Sequence, residues 1–84
     1  MRTSQEFVKT LSDDNLIQIM RDFAKFDNQG CLDQSYLWKV TEELMTLLGV
    51  KGADGIQQNF WARVLHDEVC KTLAWRWVHQ FLDT

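Results

Sequence analysis

His66 and Cys70 stand four residues apart, so on a helix the imidazole and the thiol share one face. Two chemistries can start from such a pair. A structural zinc site takes four ligands, and Cys31 and His79 would have to converge on these two to complete it. A Cys–His nucleophile needs the ring within hydrogen-bond reach of the thiol and, in addition, a site that stabilises an oxyanion. The sequence supplies no such site, and a capping histidine beside a packed thiol explains the pair without chemistry. The paired carboxylates Asp13-Asp14, Glu42-Glu43 and Asp67-Glu68 read as solvated faces or helix starts, with no pocket that would raise a pKa. The expectation is therefore a non-enzymatic chain with no catalytic residues, no metal site and no cofactor.

Composition narrows the class further. Eighty-four residues make one domain, 1–84, with room for a single core. Apolar residues are 45% of the chain, and four Trp with five Phe bring the buried area that so small a domain needs. A net charge of -3 without any Lys/Arg run argues against a nucleic-acid footprint and suits a basic partner. Two cysteines do not make a disulfide framework and fit a reducing compartment. The start Met-Arg-Thr-Ser-Gln-Glu has no apolar stretch behind it, and no run is long enough to span a bilayer. A cytoplasmic location is the expectation that follows.

No proline occurs, and glycine is confined to positions 30, 49, 52 and 55, which reads as all-α. Residues 3 to 11 predict a short helix capped by Thr3 or Ser4, with Phe7, Val8 and Leu11 inward. Ser12-Asp13-Asp14 opens a second, whose stripe of Leu16, Ile17, Ile19, Met20, Phe23 and Phe26 ends near Phe26. Asp27 to Asp33 is a loop. Asp33 or Ser35 caps a third helix, with Leu37, Val40, Thr41, Leu44, Leu47 and Leu48 inward and Gly49 as its end. Residues 50 to 55 form a glycine-punctuated linker. Beyond it, Ile56, Phe60, Trp61, Val64, Leu65, Val69, Leu73, Trp77, Val78, Phe81 and Leu82 fit either one helix of roughly seven turns or two helices. The polar cluster His66-Asp67-Glu68 followed by Lys71-Thr72 favours a break between His66 and Lys71. The expected fold is four or five short helices, arranged as two helix-loop-helix units with Leu32 and Leu73 in matched positions.

Several segments resemble an EF-hand lobe, the unit of calmodulin and myosin light chains. Leu11-Ser12-Asp13-Asp14-Asn15-Leu16-Ile17 is similar to the capped start of its first helix, and Phe23-Ala24-Lys25-Phe26-Asp27 to its Phe-x-x-Phe-Asp ending. Gly30-Cys31-Leu32 resembles the Gly-x-Ile of the loop, and Thr72 to Leu82 resembles the exit of a second hand. The resemblance covers roughly residues 11 to 82 and implies a single EF-hand-like lobe with Leu32 and Leu73 paired in a short bridge. It departs from the family at the ligands. A calcium loop ends in a bidentate Glu, and those positions hold Tyr36 and Trp77, while Lys71 replaces the second loop's central glycine. Neither loop is expected to hold calcium.

A metal-free lobe of this kind implies a groove that grips an amphipathic, basic partner helix, as light chains do. The groove residues expected on that reading are Met20, Phe23, Met45, Leu48, Trp61, Trp77 and Phe81. A different class is the alternative: a small helical inhibitor or regulatory adapter, of phage or bacterial type, that blocks a target through an outer face. Phe60, Trp61, Trp75, Trp77 and Phe81 favour some such exposed contact. Trp75 and Trp77 lie two apart and so on different helix faces, more than one buried stripe accommodates. At least one of Trp38, Trp61 and Trp75 should therefore reach solvent. A homodimer that buries the surplus aromatics against itself is the third arrangement the sequence leaves open.

Overall fold

The computed structural model describes residues 3–29, 35–50 and 55–82, and every residue in regular structure among them is helical. Four helices follow in order: α1 (Ser4–Lys9), α2 (Asp13–Gln29), α3 (Tyr36–Leu47) and α4 (Gly55–Leu82). The all-α expectation holds. The expected break does not, because α4 runs through His66–Lys71 as one helix of 28 residues. Nothing between His66 and Lys71 breaks a helix: the stretch has no Gly or Pro, and Lys71 pairs with Asp67 one turn back at 3.2 Å. The polar cluster is the solvent face of a continuous helix.

Local chemistry sets the other ends where they fall. Thr3 accepts the Glu6 amide through its side chain and starts α1. Ser12 Oγ accepts the Asn15 amide at the head of α2, with Asp13 and Asp14 in the first turn. Of the two caps expected for α3, Ser35 is the one observed, its Oγ accepting from the Trp38 amide at 3.0 Å. The far end of α3 closes in a Schellman pair. The Val50 amide donates to Met45 O and the Gly49 amide to Thr46 O, with Gly49 at φ 73. A β-carbon there would meet no atom within 4 Å, so the cost of replacing this glycine lies in its left-handed backbone.

α4 is the element on which the other three helices pack, and α2 and α3 also pack on each other. The Cα envelope measures 45 × 33 × 15 Å. Its thin dimension is that of two helix layers, at about 8–10 Å between axes. α4, about 42 Å long, spans the longest dimension. The core is Val8, Leu16, Ile19, Leu37, Val40, Leu44, Ala62, Leu65, Val69 and Leu73, with Met45 buried beside Thr41 on α3. Thr41 is accommodated there by donating its hydroxyl to Leu37 O. The inner stripe of α3 differs from expectation at one point: Leu47 is 41% exposed, and Met45 takes the buried position.

Two polar ties lock the layers. Arg76 donates from Nη1 to Asp13 at 2.7 Å and from Nη2 to Lys9 O, which joins α4 to the end of α1 and the start of α2. Asp22, buried in α2, accepts the Leu37 amide at 3.2 Å and the Gln18 side-chain amide at 2.9 Å. Its carboxylate thus satisfies the Leu37 amide, one of the donors that a helix leaves unpaired in its first turn, alongside Ser35 at the Trp38 amide. Asp22→Ala would leave the buried Leu37 N–H without an acceptor, at a cost of about 2–3 kcal/mol. Urea unfolding should show the lower midpoint at an unchanged slope, with Asp22→Asn, which keeps one acceptor oxygen, between the two.

Candidate protein-binding surface

The seven residues expected to line one groove do not share one. Met45 is 3% exposed, on the buried side of α3 with Thr41 and Leu44, and so does not belong to the surface. Leu48 and Trp61 are half-buried and pack against the core, Leu48 as the cap residue of α3 and Trp61 on the first half of α4. Phe23 lies on the α2–α4 seam, while Met20 and Trp77 are exposed. Phe23 is half-buried and stacks on His66, ring centroids 3.9 Å apart and planes 10° from parallel. Met20 reaches solvent at 37%, and Trp77 at 53%. The Phe81 side chain lies outside the described residues, as do residues 30–34 with Leu32 of the expected bridge. Leu73 is a buried residue inside α4. The segment that the EF-hand resemblance made a second loop, with Lys71 in place of its central glycine and Trp77 in place of its last Glu, is helical throughout.

The His66–Cys70 pair does form, with Sγ 3.5 Å from Nε2. Burial, and then the Asp67 carboxylate, pushes the Cys70 thiol above its ordinary range, the opposite of what a nucleophilic thiolate needs. His79 sits about 20 Å further along α4 and packs on Trp75, so it does not converge on the pair. No group of three or more His, Cys, Asp or Glu side chains gathers among the described residues. Of the three carboxylate pairs, two form ion pairs: Asp13 with Arg76, and Asp67 and Glu68 with Lys71. Glu43 and burial together raise the Tyr36 hydroxyl, burial contributing more.

What stands out instead is the part of α4 that no other described helix covers. Buried positions run Gln58, Ala62, Leu65, Val69, Thr72 and Leu73, a stripe of three- and four-residue steps facing the other helices. Past Arg76 the helix continues with Trp77, Val78, His79 and Gln80 all exposed, because α1 and α2 reach no further. Phe60 is 58% exposed and Trp75 62%, while Trp38 and Trp61 are half-buried. The expected solvent-facing tryptophan is thus Trp75. On its flank, α1 and α4 enclose a cleft of about 470 Å³ with Gln5 and Lys9 on one wall and Thr72 and Trp75 on the other. The sequence marks Trp75 as a candidate for exposure, and it counts Phe60 both in the helical stripe and among the aromatics that exceed one buried stripe. No helix among the described residues is long and apolar enough to cross a membrane. Compared with protein-family models, curated proteins and solved structures, the chain matches none.

Proposed function

We propose that this chain is a non-enzymatic protein-binding module in which the outer surface of α4 makes the contact. The observation that carries the reading is the exposure of Phe60, Trp75, Trp77, Val78 and Leu82 on one helix. Large rings left in water on so small a domain are the side chains that dominate protein interfaces when they become buried. Of the three arrangements open from sequence, those that engage through an outer face, an adapter or inhibitor among them, are favoured over a light-chain-like grip. A grip needs Met45 free to adapt to a ligand helix, and Met45 is in the core.

Photo-crosslinking residues placed singly at 75, 78, 20 and 48 test this in cells that express the chain. Adducts with protein are expected from 75 and 78, with little from 20 and 48. Adducts confined to 20 and 48 would return the contact to the groove side and overturn the reading. No adduct from any position would overturn protein binding itself.

A further inference from the structure

The outer face of α4 has an internal order that its composition does not reveal. Reading along it, Phe60, Val64, Asp67, Lys71, Trp75, Val78 and Leu82 follow at steps of four, three, four, four, three and four. Two eleven-residue steps, 60 to 71 and 71 to 82, keep these side chains on one face, with a drift of only about 40°. Apolar side chains occupy both ends and an ion pair the middle. Asp67 and Lys71 are each about two-thirds exposed and sit 3.2 Å apart. Phe60, Trp75, Val78 and Leu82 are all more than half exposed, and Val64 is half-buried between them.

We infer that this face binds a second copy of the chain, α4 against α4 in antiparallel, about a two-fold axis at the level of Val69. The inference rests on the reading of α4 as the contact element and names its partner. A two-fold interface must be self-complementary, each residue meeting its counterpart's partner. With the axis at that level, Asp67 of one copy faces Lys71 of the other, twice over. Phe60 faces Val78 of the other copy, and Val64 lies beside its Trp75. A parallel pair would set Asp67 against Asp67 and Lys71 against Lys71, so the order of charges selects the antiparallel one. Size permits the same occupant. The exposed parts of the four large apolar residues come to roughly 450 Å² per copy, within the range of the largest patches that monomers leave open. With the stem of Lys71, Glu68 and His79 at the edges, the stripe reaches roughly 600 Å² per copy, the lower end of specific interfaces. A dimer of that area is concentration-dependent.

Sedimentation equilibrium of the full chain, from about 1 to 100 µM, gives the test. The chain should pass from monomer to dimer across that range, a concentration window ordinary for interfaces this small. Asp67→Lys makes the centre wholly basic and Lys71→Asp makes it wholly acidic. Each alone should weaken self-association at least tenfold. Mixed in equal amounts, the two should form a heterodimer of wild-type strength, since every facing pair is again opposite in sign. Both positions are exposed, and circular dichroism confirms that each variant folds. Trp77→Ala, off this face, should leave the dimer intact.

A wild-type chain that stays monomeric, single charge variants that still dimerise, or a mixture that does not recover would each overturn the antiparallel pair. Failure of the wider reading looks different. A monomeric chain that crosslinks from position 75 to other proteins keeps α4 as the contact and removes only the second copy. A monomer with no adducts removes both.

Discussion

Asp67→Pro is expected to destabilise the domain by about 3–4 kcal/mol, because it breaks a helix that the sequence's own polar pattern marks as a loop. In α4 a proline at this position removes the amide that donates to the carbonyl one turn earlier, and its ring collides with that carbonyl. The Asp67 side chain is two-thirds exposed, and its pairing with Lys71 is a surface ion pair of small worth. The loss would therefore come almost wholly from the backbone. Asp67→Ala is the control and should cost well under about 1 kcal/mol. If residues 66 to 71 formed a loop, as in a second helix-loop-helix unit, the proline would be nearly as mild as the alanine. Chemical unfolding monitored by circular dichroism distinguishes the two. A proline variant within about 0.5 kcal/mol of the alanine variant would contradict a continuous α4.

Leu44→Ala against Leu47→Ala should show a difference of similar size within one turn of α3. Both leucines fit the expected inner stripe, yet Leu44 is fully buried and Leu47 is 41% exposed. Truncating Leu44 removes buried methyl groups and leaves a cavity against α4, at a cost of about 3–4 kcal/mol. A domain of this length has only about 4–12 kcal/mol of stability to lose. The midpoint of thermal unfolding should fall by roughly 15–25 °C, at about 4–8 °C per kcal/mol. Leu47→Ala exchanges one strong helix former for another on a partly solvated face and should stay within about 1 kcal/mol of wild type. Equal losses at the two positions would mean that α3 is rotated from the orientation described.

Asp22 shows why part of this architecture was hidden from the chain read alone. In sequence it is one more acidic residue on α2, spaced like its solvated neighbours. Its role as an acceptor for α3 exists only because the chain returns to bring the Leu37 amide to it. Trp75 and Phe60 illustrate the converse. A period of three and four marks residues that can share a face, but not which face the neighbouring helices cover. Along α4 two such stripes exist, and only the one through Leu65 and Val69 meets α1, α2 and α3.

Local interactions were legible because they act within a turn or two of the residues that make them. Caps at Thr3 or Ser4, at Ser12, and at Asp33 or Ser35, Gly49 as the end of α3, and the all-α class follow from side-chain hydrogen bonding, backbone freedom and the absence of proline; the fold uses Thr3, Ser12 and Ser35. The continuity of α4 was undecidable on that scale. A run of Asp, Glu, Lys and Thr can close a helix or decorate its wet side, and the favoured break was the wrong alternative. Tertiary packing decided it: Leu65 and Leu73 on either side of the polar stretch, and Val69 within it, are buried in one core, which keeps the helix continuous through it. The same packing sank Met45 into that core and left Trp75 and Trp77 outside it, because three short helices cover only one side of one long one.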